Sequence, residues 1–382
     1  MPLEGIRVLD LTRLLPGPYA SLMLADFGAD VIKVEDTKLG DYARWGEPKV
    51  SEYSAMFHSL NRNKRSITLD LKTDEGKEVF IDLVKTADVL IESFRPGVMD
   101  RLGVGYEVLK KHQPKLIYCA ITSYGQNGPY RDAPGHDINF LSYTGLLDLQ
   151  GEREGKPISS PVQIGDIGGG SLMATIGILV SIIEAKKSGK GQFVDISMLD
   201  GAVSWMQTFL PDYLATNVAP RRGELVLNGG KACYEIYETK DHRFLAVGAL
   251  ELKFWKNFCH VIGKEELSAQ LNAPIEKQQE MKKEIQAVVA KKTLQEWQRL
   301  FKGVDACVSP VLTIEEMVEN PQIKHRQMIE EVYHDNTGVM RQIANPIKLS
   351  RSKAKTVKQA PALGEHNEEI FTELGHLYPT NK

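Results

Sequence analysis

Short apolar runs bounded by turn residues alternate, along the first half of the chain, with longer stretches whose apolar positions recur at helical spacing. Residues 7–11 read as a buried strand. Pro16-Gly17-Pro18 breaks that strand, and Pro18 suits the first turn of a helix running to about Phe27, which Gly28-Ala29-Asp30 ends. Residues 31–34 form a second strand, followed by Glu35 and Asp36, and complete a β-α-β unit. The rhythm repeats in a helix over 74–85 with a strand over 89–91, and in a helix over 106–111 with a strand over 116–121. It returns in a helix over 169–186, a polar turn over 187–191, a strand over 192–196 and a helix starting near Met198. Alternation of this kind predicts a parallel sheet wrapped by helices.

The second half reads differently. Composition shifts at 219–223, a linker. Residues 234–237 and 244–247 resemble an antiparallel pair around the turn 240–242, and Lys-rich amphipathic helices fill roughly 252–302 with solvated charged faces. A tail from about 330 returns in short strands and ends in a loop over 364–369 leading into a last helix. At 382 residues the chain exceeds one ordinary core. The expected fold class is α/β: a large Rossmann-like parallel-sheet domain over 1–195, a linker over 196–224, and a smaller α+β domain over 225–320. Residues 321–382 would supply a return linker and the C-terminal part of the large domain.

Composition narrows the function classes. A net charge of −3 and a pI near 6.3 argue against a nucleic-acid partner. Cys119, Cys233, Cys259 and Cys307 are scattered, without zinc or disulfide spacing, as expected of reduced thiols in a cytoplasmic protein. The start lacks the basic and apolar regions of a signal peptide, and the C-terminus over 379–382 does not read as a peroxisomal address. The longest apolar run, 172–183, is short of the ~20 residues a membrane span needs, so it reads as a buried helix. The first β-α-β with Glu35 after its second strand suggests dinucleotide binding. However, the turn over 12–18 lacks GxGxxG, and its prolines remove amide donors, so no NAD or FAD is expected. No Walker A motif and no HExxH or CxxC spacing occurs, so no metal is expected either.

Two residues stand out as candidate chemistry. His136 lies in Gly135-His136-Asp137-Ile138-Asn139-Phe140, and Asp166 in Gly165-Asp166-Ile167-Gly168-Gly169-Gly170-Ser171. A base and an acid of different type, each in a Gly-bounded loop, suit one substrate carbon approached from opposite faces. Each has a plainer reading too: a lone histidine is usually structural, and Asp166 before an apolar run makes a good helix N-cap. In the second case the amides following Asp166 would also suit a developing oxyanion. Asp137 and Asn139 read as loop-building residues.

Several further motifs carry a family resemblance across nearly the whole chain. They are Leu15-Pro16-Gly17-Pro18, the run from Asp26 to Glu35, Asn61-Arg62-Asn63-Lys64-Arg65-Ser66, Phe94-Arg95-Pro96-Gly97 with Arg101-Leu102-Gly103, and Gly125-Gln126-Asn127-Gly128-Pro129. With these the chain resembles the class III coenzyme A transferase family (CaiB/BaiF type), and within it the α-methylacyl-CoA racemase branch. The Gly-His-Asp-Ile-Asn form at His136 and the presence of Glu251 resemble racemases; formyl-CoA transferases carry a Gln near Leu15 and a longer glycine run near 228–230, both missing here.

The resemblance implies an acyl-CoA substrate, with no cofactor beyond the coenzyme A it carries. It also implies a homodimer of interlocked subunits and a proton moved between His136 and Asp166, with Glu251 orienting the imidazole. In the transferase branch Asp166 is instead the nucleophile, forming a mixed anhydride. Arg95 and Arg101 match positions near the CoA nucleotide; Lys33, Arg62, Lys64 and Arg65 are further candidates for its phosphates. Epimerisation of a 2-methylacyl-CoA, CoA transfer to a carboxylic acid, and acyl-CoA binding without catalysis stand as the three functional expectations.

Overall fold

In a computed structural model, which describes residues 1–334, 338–356 and 358–376, the chain divides into two compact units. The C-terminal address reading falls on 379–382, outside the described residues. Unit 1 comprises Met1–Thr144, Ser160–Trp205 and Gln322–Lys382; unit 2 comprises Gly145–Ser159 and Met206–Pro321. The division differs from the sequence expectation in two places. Residues 145–159 belong to unit 2, and the stretch expected as a linker contains β-strand and helix of unit 1 up to Trp205.

Unit 1 is built on β1 (Arg7–Asp10), β2 (Asp30–Glu35), a short hairpin of β3 (Lys49–Val50) and β4 (Tyr53–Ser54), β5 (Lys64–Thr68), β6 (Val89–Glu92), β7 (Ile117–Thr122) and β8 (Phe193–Ser197). Six of these make one parallel sheet in the order β5-β2-β1-β6-β7-β8. The chain runs from β1 outward to β5, then returns to the other side of β1 for β6 to β8. The order therefore reverses between β1 and β6, and a crevice opens beyond their carboxyl ends, where ligands of doubly wound sheets bind.

Successive residues of each strand point to opposite faces. Val8 packs in one core with Ala20, Leu24, Ile178 and Met198, whereas its neighbour Leu9 packs in another with Phe80, Leu83 and Phe371. Both faces are thus covered, and the strands read as apolar runs rather than as alternating ones.

In unit 2, β9 (Tyr234–Glu238), β10 (Phe244–Gly248) and β11 (Val308–Pro310) form an antiparallel sheet in the order β11-β10-β9. The helices Leu252–Ile262, Ile275–Val289 and Leu294–Leu300 cover it, burying Trp255, Phe258, Ile285 and Trp297 with Tyr237. Back in unit 1, β12 (Ile329–His334) pairs with β13 (Gly338–Ile343), and the helix Asn367–Glu373 packs against edge strand β5.

Candidate active site

β7 delivers the chain to the loop that ends at His136. That residue has extended backbone and is the N-cap of the helix Asp137–Tyr143; its amide donates to Asn139 Oδ1 at 3.0 Å, and its side chain is exposed. Asp166 lies in the first turn of a π-helix, Ile164–Leu172, which continues into the helix Met173–Ser188. Such wide turns are rare and concentrate at functional sites.

Close packing explains the glycines that follow Asp166. A Cβ on Gly169 would stand 2.5 Å from the carbonyl oxygen of Met198. One on Gly168 would overlap the ring of Trp205, and Gly169 and Gly201 meet backbone to backbone. Only residues without a side chain let the helix Met198–Ser204 come this near the turn that carries Asp166.

The two loops are joined directly: Asp137 Oδ1 accepts a hydrogen bond from the Asp166 amide at 3.0 Å. Asp166 is half-buried, and burial, then the nearby Asp137 charge, pushes its carboxyl up to about 6, with His136 acting in the opposite sense. The His136 imidazole and the Asp166 carboxyl are therefore neighbours within unit 1. The amides after Asp166 are placed differently from expectation. Ile167 N is taken by Gln163 O, and those that follow lie inside the helix.

Glu251 belongs to unit 2, where it is exposed and caps the helix Leu252–Ile262 with its carbonyl, which accepts Trp255 N at 3.0 Å.

Arg95 and Arg101 follow β6 and are exposed, with no carboxylate partner among the described residues. Between them Gly97 adopts φ 78°, and a Cβ there would lie 3.3 Å from both the Arg101 and the Arg131 guanidinium groups. Arg131, which the sequence reading passed over, thus joins this cationic edge. At the same end of the sheet a cavity of about 440 Å³ opens beyond β1, β2, β5 and β6, lined by Arg13, Lys38, Lys72, Asp36, Tyr42 and Phe94 among others. Arg13 lies over the rings of Tyr42 and Phe94, at 4.9 and 5.7 Å from their centroids.

The other four cations expected at phosphates are part of the core instead. Lys33 is fully buried against Asp41 at 2.8 Å, and Lys64 against Asp10 at 3.1 Å. Arg62 clamps Asp26 at 2.7 Å, while Arg65 reaches Asp30, Glu369 and Glu373 at 2.7–2.8 Å. Buried cations keep their charge only when paired. Burial pulls the Lys64 ammonium down to about 8, with Asp10 opposing. With their donors spent on carboxylates, Lys33, Arg62, Lys64 and Arg65 hold the sheet together, and the phosphate role expected for them is withdrawn.

With this geometry in place, the family model for CoA-transferase family III matches residues 3–367. The chain belongs to that family. Its relatives include human α-methylacyl-CoA racemase, 38% identical over 98% of this chain and 94% of the relative. They also include mouse succinyl-CoA:glutarate CoA-transferase, 32% identical over 98% of this chain and 86% of the relative. Among solved structures, a CAIB/BAIF family protein from Brucella suis superposes with a TM-score of 0.84 at 32% identity, covering 98% of this chain and 99% of that one. As a family member the chain is an enzyme of racemase or CoA-transferase type, acting on an acyl-CoA.

Proposed function

We propose that this enzyme epimerises 2-methylacyl-CoA thioesters by moving the α-proton from one face of the carbon to the other through an enolate. The observation that carries the proposal is the His136–Asp166 neighbourhood, with the Asp166 carboxyl pushed up to about 6. A hydrogen α to a thioester is weakly acidic. Its removal needs a positioned base, and inversion needs an acid on the opposite face. An imidazole and a carboxyl raised in this way can each give or take the proton, so substrate handedness decides which does which. The enolate oxygen needs amide donors. The amides of Asp137 and Ile138, in the first turn beside His136, have no acceptor among the described residues and fit that need better than those after Asp166.

In this reading the imidazole tautomer is fixed by a glutamate, the role the resemblance gives Glu251. Arg95 and Arg101 hold the nucleotide phosphates, and the crevice lined by Arg13 and Phe94 receives the nucleotide. The working form is a homodimer.

CoA transfer is the second reading. It is favoured by the transferase relatives and by Asp166, which would attack an acyl-CoA carbonyl, release CoA thiolate and form a mixed anhydride. Replacement of His136 separates the two. Under epimerisation His136→Ala loses nearly all α-proton exchange. If instead the variant keeps full CoA transfer to a free carboxylate, and the wild type shows no exchange, the transferase reading replaces ours.

A further inference from the structure

The carboxylate of Asp137 has no assigned work beyond its place after the catalytic histidine. It starts the helix Asp137–Tyr143, yet it caps nothing in that helix. Its Oδ1 reaches across the fold to the amide of Asp166 at 3.0 Å, a bond between residues 29 apart in sequence. It faces no cation at salt-bridge distance among the described residues. Gly165 makes the approach possible, since a Cβ there would stand 3.0 Å from Asp137 Oδ1 and 3.1 Å from the Phe140 ring.

We propose that Asp137 is a positioning residue for Asp166: its carboxylate holds the Asp166 amide and sits beside the Asp166 carboxyl. The inference rests on His136 and Asp166 acting as an acid–base pair.

The reason for such a residue lies in the symmetry of epimerisation. Two bases that exchange roles should have similar proton affinities, or one direction of transfer is opposed at each turnover. An ordinary aspartate titrates near roughly 3.9 and an ordinary imidazole near roughly 6.5, a poor match. Burial and a neighbouring anion close that gap by raising the aspartate, and the anion is Asp137.

The other charged groups packed around the turn do not do this. Asp200 on the helix Met198–Ser204 acts on Asp195 of β8, and His136 acts on Asp166 in the opposite direction.

The test is Asp137→Asn, whose side-chain carbonyl still accepts the Asp166 amide while the charge is gone. Asp137→Ala, which loses both, is the comparison. The Asp166 carboxyl is followed by 13C NMR in aspartate-labelled protein, assigned with Asp166→Asn. The pH profile of kcat/KM for α-deuterium exchange is measured alongside.

In the Asn variant we expect unchanged melting, an Asp166 titration lowered by roughly half to one pH unit, and an acid limb of kcat/KM moved by the same amount. An Asp166 titration that stays put in the Asn variant, while the Ala variant loses stability, would make Asp137 a purely structural cap and overturn the inference. The carboxyl titration is read without turnover. A wild type that exchanges no α-hydrogen therefore defeats the acid–base reading separately from the electrostatic role of Asp137.

Discussion

Replacing Asp166 by Asn should trade activity for stability, and the gain should depend on pH. In the folded chain the Asp166 carboxyl is pushed up to about 6, against roughly 3.9 in an unfolded chain. The folded state therefore binds this proton more tightly than the unfolded state does. Its contribution to stability is full below the unfolded value and is lost as pH rises through about 4 to 6. Above about 7 the folded state bears the whole cost of an ionised, half-buried carboxylate. The difference between the two values corresponds to at most ~3 kcal/mol. Asp166 keeps some contact with solvent, which screens it, so about 1–2 kcal/mol is the expected figure.

Asn keeps the shape and removes the charge. For a unit of this size, about 1–2 kcal/mol is a rise in Tm of roughly 2–6 °C. The assay is thermal melting of wild type and variant between pH 5 and 8, with α-proton exchange measured in parallel. The Tm difference should widen from pH 5 to about 7 and then level off, while exchange is lost. A variant less stable than wild type at pH 7.5, or a difference that does not vary with pH, would refute the reasoning.

Other outcomes follow from the same geometry. Gly201→Ala would drive a methyl group into the backbone of Gly169. It should cost about 3 kcal/mol and displace the turn bearing Asp166, so melting and exchange should fall together. Arg101→Ala should raise KM for acyl-CoA about tenfold, leave melting unchanged and weaken the salt dependence of binding. Lys64→Met should do the reverse, because it strips a buried partner from Asp10. About 3 kcal/mol of stability should be lost, with little change in KM for the protein that remains folded.

The parallel sheet was legible because its strands are short apolar runs separated by helices of clear period, as in 7–11, 31–34 and 116–121. Edge strand β5 was not, since Lys64, Arg65 and Ser66 look like surface residues until their partners are known. Those partners, Asp10, Asp30, Glu35, Glu369 and Glu373, lie 31 to 308 positions away, and no local pattern announces them. The attachment of 145–159 to the second unit was hidden for the same reason.

His136 and Asp166 could be picked out because glycines bracket them and the resemblance gave them roles. Their connection through Asp137 depends on a hydrogen bond that only the folded chain forms. The glycine run after Asp166 suggested a helix start with free amides. The π-helix instead uses those glycines for contact with the helix Met198–Ser204.

The central claim, that His136 and Asp166 act on the two faces of one α-carbon, is tested most directly with a single epimer of a 2-methylacyl-CoA in deuterated water. A parallel reaction contains a free carboxylate acceptor. The account predicts deuterium at the α-position together with drift toward an even epimer ratio, both lost in His136→Ala. An unlabelled, unchanged epimer in the first reaction and a new thioester in the second would contradict it.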